Sequence, residues 1–106
     1  MAISTNPMRI RTKLDGDVCK VRVLMSHPME TGLRKDPQGE LIPAYFIQLV
    51  TVSYRDRVVL TAQWGPAVSR NPYLSFKFQS AAKGETVTID WLDNKGDTRS
   101  ARAVIE

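Results

Sequence analysis

The sequence predicts an all-β chain, an immunoglobulin-like antiparallel β-sandwich of about seven strands, on three observations. Apolar and polar side chains alternate with period two along almost the whole chain, the mark of half-buried strands. Turn signals recur at short intervals, at Asp15-Gly16, Arg55-Asp56, Lys83-Gly84 and Asn94-Lys95-Gly96, as strands joined by tight turns require. No window carries the wider stripe of an amphipathic helix. The 106 residues fit one domain, residues 1–106, with one core. The apolar fraction of 42% and charged fraction of 25% are those of a globular chain, which removes disordered and low-complexity readings. The Cys…Trp…Cys spacing of antibody domains is absent, so the resemblance is one of architecture only. A five-stranded OB-type barrel is the alternative.

In order, Met8, Ile10, Thr12 and Leu14 share one face of the first strand, with Arg9, Arg11 and Lys13 on the other. After Asp15-Gly16, Cys19, Val21, Val23 and Met25 face one way and Lys20 and Arg22 the other. Tyr45 to Tyr54 is apolar on both parities, Ile47 and Leu49 against Phe46, Val50 and Val52, as in a strand covered on both faces. Val58, Leu60, Ala62 and Trp64 then alternate with Arg57, Thr61 and Gln63. Leu74, Phe76 and Phe78 alternate with Ser75, Lys77 and Gln79, and Val87, Ile89 and Trp91 with Thr86, Thr88 and Asp90. Asn94-Lys95-Gly96 closes a hairpin onto a last strand lined by Ala101, Ala103 and Ile105.

Two connections break this rhythm. His27 to Ala44 contains Pro28, Gly32, Pro37, Gly39 and Pro43 and exceeds the length of about 12–15 residues beyond which structureless loops are uncommon. It mixes Met29, Leu33, Leu41 and Ile42 with Glu30, Arg34, Lys35, Asp36 and Glu40, more apolar anchors than a disordered linker carries. Gly65 to Pro72 is short and stiffened by Pro66 and Asn71-Pro72.

Catalytic chemistry finds little support. Cys19 is the single cysteine, so no internal disulfide forms, and its inward parity makes it a buried, inert thiol with a raised pKa. His27 is the single histidine, and the two together fall short of the three or four ligands a zinc site uses. Eight residues of extended strand set them about 26 Å apart, too far for a Cys–His pair. Ser26 points away from His27, and no Gly-x-Ser-x-Gly elbow is present. Asp and Glu fall mostly in turns or on outward parities, and there is no Gly-rich phosphate loop. No catalytic residue, cofactor or metal is expected, which leaves binding.

Fifteen Lys and Arg against eleven Asp and Glu give a net charge of +4, which admits an anionic partner. Arg9, Arg11, Lys13, Lys20 and Arg22 would form one basic stripe if the first two strands pair. A nucleic-acid-binding β-domain is the alternative function, since Tyr73 to Phe78 interleaves aromatics with Lys77. Phe76 and Phe78 share the parity of Leu74, however, which turns them inward and away from any base. A small hydrolase is a third and weaker alternative. No apolar run has the length of a membrane span. The opening Met-Ala-Ile-Ser-Thr-Asn-Pro lacks the charged and apolar regions of an export signal.

The motifs His27-Pro-Met-Glu-Thr-Gly32, Arg34-Lys-Asp36, Ile42-Pro-Ala-Tyr-Phe-Ile47, Trp64-Gly-Pro-Ala-Val-Ser69, Asn71-Pro-Tyr-Leu-Ser-Phe76 and Trp91-Leu-Asp-Asn-Lys-Gly96 resemble the SoxZ family, in order from about Val21 to the end. Cys19 lies outside that pattern, and Leu33 stands where a polar residue is usual. The resemblance implies a non-catalytic subunit that pairs with SoxY as the SoxYZ carrier of bacterial thiosulfate oxidation. The sulfur adduct would ride on a cysteine of the partner's Gly-Gly-Cys-Gly-Gly arm, which this chain lacks. It further implies transient contacts with a thiosulfate-linking cytochrome, a sulfate-releasing hydrolase and a sulfur dehydrogenase, and work in the periplasm after export on the partner's signal. Neither nucleic acid nor membrane is then a partner, and the lone chain's exposed pairing surface would favour a homodimer. The long segment and the strand after it are the expected SoxY interface, through His27, Met29, Leu33, Ile42, Tyr45 and Phe46. Trp64 and Arg70, around the stiff connection, are the expected enzyme-presentation loop.

Overall fold

Period-two alternation yields seven strands across residues 8–106, the part of the chain that the computed structural model describes. They are β1 (Met8–Asp15), β2 (Val18–Met25), β3 (Ile47–Tyr54), β4 (Arg57–Gln63), β5 (Tyr73–Phe78), β6 (Thr86–Asp93) and β7 (Thr98–Val104). The opening segment read for an export signal lies outside the described residues. A three-stranded sheet runs β1-β2-β5 and a four-stranded sheet β4-β3-β6-β7, with every pairing antiparallel. The described residues contain no helix, and therefore none long and apolar enough to cross a membrane. The seven-stranded sandwich is as expected, and the barrel alternative falls.

Inward parities meet between the sheets as predicted. Cys19, Val21, Val23 and Met25 from β2 join Val50, Val52, Tyr54, Val87, Ile89 and Trp91 in one buried cluster. The rings of Tyr54 and Phe78 touch across the layers at 5.0 Å between centroids, and Tyr54 Oη accepts the Ala82 N–H at 2.9 Å. Cys19 is fully buried, and burial pushes its thiol pKa up, as its parity foretold.

Two bulges correct the strand reading. The register of β3 on β6 shifts between Ile47 and Leu49, so Ile47 joins the buried face of Val50 and Val52 instead of opposing it. The register of β3 on β4 shifts between Val52 and Ser53. Val58 is thereby turned outward at 56% exposure, while Val59 packs on the core in its place. A bulge inserts one residue and inverts side-chain parity beyond it, which strict alternation cannot anticipate.

The two lateral sides of the sandwich differ. At one, Leu14 N donates to Glu106 O at 3.2 Å, and Thr12 Oγ1 bonds to both Val104 O and the Glu106 N–H, each at 3.2 Å. β4 and β5 are the free edges of their sheets.

The segment from His27 to Phe46 is an arm with two extended legs. Glu30 and Tyr45 exchange backbone hydrogen bonds of 2.7 and 3.0 Å, and Ile42 N donates to Arg34 O at 2.8 Å. At the tip, Asp36 Oδ1 accepts the N–H groups of Gln38 and Glu40 at 2.9 and 3.0 Å. The legs close tightly at Gly32, whose φ of +86° is unfavourable for other residues and where a Cβ would sit 3.2 Å from that of Ala44. The molecule measures 54 × 25 × 21 Å.

Candidate functional site

β2 does not end its alternation at Met25. Ser26 and Pro28 remain exposed while His27 and Met29 continue the buried parity into the base of the arm, 3% and 4% exposed. The buried Met29 takes a φ of 50°, and its sulfur accepts the Ile47 N–H at 3.3 Å. The Met29 N–H donates to His27 Nδ1 at 3.1 Å. An accepting Nδ1 places the proton of the neutral ring on Nε2, which faces Asp93 Oδ2 at 3.4 Å. Burial pushes the His27 pKa below its ordinary value, and the Asp93 carboxylate opposes that shift only in part. The imidazole is neutral near pH 7.

Asp93 is the last residue of β6 and lies on its inward parity, after Val87, Ile89 and Trp91. Its Oδ1 accepts the N–H groups of Lys95 and Asp97, each at 3.0 Å, so one carboxylate shapes the β6–β7 turn and faces the arm. Asn94 carries out the rest of the attachment. Its Oδ1 accepts the Phe46 N–H at 2.8 Å, its Nδ2 donates to Ala44 O at 2.8 Å, and its backbone N–H donates to Phe46 O at 2.9 Å. A side-chain amide has the donor and acceptor geometry to act as one more strand residue. On the other flank, Asn71 Oδ1 accepts the His27 N–H at 3.0 Å and Asn71 N donates to His27 O at 2.9 Å.

Aromatic contacts finish the base. The His27 ring lies 4.4 Å from that of Tyr45 and meets Trp91 edge-on at 5.2 Å. Lys95 Nζ stands 4.2 Å over the Tyr45 ring, a cation–π contact. Burial, and then the nearby Asp93 charge, push the Tyr45 phenol pKa up.

The expected interface residues thus divide. His27, Met29, Tyr45 and Phe46 converge at the base of the arm, and two of them are corrected: His27 and Met29 are core residues and offer no surface in the folded chain. Tyr45, Phe46 and Ile42 are half-buried. Leu33 is 83% exposed on the first leg and Leu41 58% exposed on the second. Trp64 packs partly on the core and Arg70 is exposed. Arg70 belongs to the same end of the molecule, since its charge helps hold the Glu30 carboxyl below the usual range, after the dominant effect of the Arg34 hydrogen bond.

Asp93, Asn94 and Asn71 were not singled out in the sequence as site residues. The signal for Asp93 was present, because a carboxylate on the inward parity of a strand needs partners. A reading of Asp and Glu as mostly outward or in turns does not single it out. Among the described residues no group of three or more His, Cys, Asp or Glu side chains is placed to hold a metal ion.

The family model for sulphur oxidation protein SoxZ matches residues 8–104. The chain belongs to the SoxZ family. That membership assigns it a role in a sulfur oxidation system. No curated protein sequence matches it. Among solved structures, the SoxZ-family chain is similar to two variants of superoxide reductase (neelaredoxin) from Ignicoccus hospitalis. One is 18% identical with a TM-score of 0.68, over 96% of this chain and 80% of that one. The other is 17% identical with a TM-score of 0.66, over 93% and 77%. A hypothetical protein from Pyrococcus horikoshii OT3 is 17% identical with a TM-score of 0.61, over 93% and 87%. These likenesses show a shared fold.

Proposed function

We propose that this SoxZ-family chain is the non-catalytic subunit of a SoxYZ sulfur carrier. It pairs with SoxY in the periplasm so that sulfur intermediates bound to the partner reach the enzymes of thiosulfate oxidation. The observation that carries the reading is the family match, to which the arm adds a surface. Leu33 and Leu41 are large apolar side chains held in water on two braced legs. Apolar anchors with a charged rim, here Arg34, Lys35 and Glu40, make the composition of a protein interface, and a pre-ordered arm reduces the entropy lost on pairing. Trp64 and Arg70, beside the arm, are proposed to face the enzymes.

The test is co-expression with a SoxY-type protein followed by native mass spectrometry. The wild type is expected as a heterodimer, and Leu33→Asp with Leu41→Asp should weaken pairing by tenfold or more, about 1.4 kcal/mol. Absence of any heterodimer with the wild type would overturn the reading. Undiminished pairing of the double variant would remove the arm from the interface. Met29→Asp, by contrast, would test only the core.

A further inference from the structure

The strand register assembles a basic grid on the outer face of the β1-β2-β5 sheet. Arg11 lies opposite Arg22, and Lys13, Lys20 and Lys77 fall in one row across the three strands. With Arg9 these make six cations whose side chains all take the solvent parity, and Lys20 alone is half-buried. Lys13, Lys20 and Lys77 border a shallow depression of about 200 Å³ with Asp15 at its rim. Among the described residues none of the six forms an ion pair. Side chains directly opposite on paired strands sit about 5 Å apart, and like charges there repel. That separation is well inside the screening length of about 8–10 Å at physiological salt. A face that is merely solvated would relieve the repulsion by alternating its charges.

The same face carries a second feature. The next cross-strand row is Arg9, Leu24 and Tyr73, in which Leu24 is 43% and Tyr73 59% exposed. Tyrosine and arginine are residue types enriched in binding hot spots, and the exposed Leu24 between them adds apolar contact area. A small inorganic anion has no use for it. Nucleic acid is disfavoured because the aromatic side chains of β5 other than Tyr73, namely Phe76 and Phe78, turn into the sandwich.

We propose that the outer face of the β1-β2-β5 sheet docks an acidic, partly apolar surface of a protein, with row Arg11–Arg22 and row Lys13–Lys20–Lys77 supplying electrostatic attraction and Leu24 and Tyr73 the contact. The proposal does not depend on pairing through the arm, and it stands or falls without SoxY.

Fluorescence anisotropy on the full chain tests it with four labelled or competing probes: a peptide alternating Glu with Leu and Phe, an all-Glu peptide, a DNA oligonucleotide and inorganic sulfate. The alternating peptide should bind tightest, with an affinity that falls as salt rises. Arg11→Glu with Arg22→Glu should weaken it by about tenfold or more, and Leu24→Ser with Tyr73→Ser by several-fold. Arg102→Glu, on β7 of the other sheet, should leave it unchanged. Arg11→Gln with Arg22→Gln serves if the reversal fails to fold. The proposal is overturned by equal peptide affinity in wild type and row variants. Tighter binding of the oligonucleotide at physiological salt, or binding of sulfate alone, also overturns it.

Discussion

The base and the legs of the arm differ in what their side chains are for. At the base, His27, Met29 and Asp93 are all buried, and their polar atoms bond to one another or to nearby backbone. Along the legs, backbone bonds brace the chain while Leu33 and Leu41 stay in water. Burial without hydrogen bonds is costly to a polar group, and exposure without a partner leaves apolar surface wet. The base solves the first problem within one chain for His27, Met29 and Asp93, and leaves Trp91 Nε1 buried without a partner. The legs leave the second unsolved within the chain. Two of the motifs that carry the family resemblance, His27 to Gly32 and Trp91 to Gly96, therefore build a mount, and the residues proposed for contact stand between them and its tip.

The largest effect should come from removing the centre of the mount. Asp93→Ala withdraws the acceptor for the N–H groups of Lys95 and Asp97 and the partner of His27 Nε2. Leaving the buried His27 Nε2 donor unpaired costs about 1–3 kcal/mol, and each part-buried turn bond to Lys95 and Asp97 contributes about 1 kcal/mol at most, so a loss of about 3 kcal/mol is expected in urea unfolding. A loss below about 1 kcal/mol would mean that the turn holds without its carboxylate.

Asn94→Ala should cost less and act more locally. It removes two side-chain bonds to the Ala44–Phe46 backbone but keeps the bond from its own N–H to Phe46 O. A destabilisation of about 1–2 kcal/mol is expected. Amide exchange should quicken at Phe46 and Tyr45 well before it does at Val50 or Val52, because the core strands open only with global unfolding. Uniform acceleration would show that base and sandwich open as one unit.

His27 adds a pH dependence of the opposite sign to that of a salt-bridged histidine. Its folded pKa is lowered from 6.5 by burial, so the unfolded chain binds the proton more readily. Stability from the neutral ring is fully present above that ordinary value and is lost as pH falls below it. Stability is expected to decline between about pH 7 and pH 5 in the wild type, and less steeply in His27→Gln. Identical slopes would assign the decline to other groups.

These elements also show what the sequence could reveal. Seven strands, the buried Cys19 and the inward Phe76 and Phe78 follow from parity, because one residue decides its own face while the register holds. Val58 and Ile47 escaped it because a bulge is a property of the paired strand, and neither partner's sequence announces it alone. His27 and Met29 escaped for another reason. Their segment was read as a loop, although the alternation of β2 runs through Met25 into both of them. The arm residues at the surface, Leu33 and Leu41, were legible as apolar anchors. Which anchors turned inward depended on Asp93 and Asn94, 48 to 66 residues away in the chain from the groups they bond and adjacent only in the fold.

The smallest expected effect is the one on which the comparison rests. Leu33→Asp with Leu41→Asp touches no buried contact, and substitutions at exposed positions usually move stability by less than about 0.5 kcal/mol. Urea midpoints should therefore match the wild type while pairing is lost. A double variant that also loses stability would show the legs to be packed on the chain itself, and its pairing defect would then report folding. Unchanged stability instead separates the two regions: the base is held by its own hydrogen bonds, and the exposed leucines contribute free energy only when a second protein covers them.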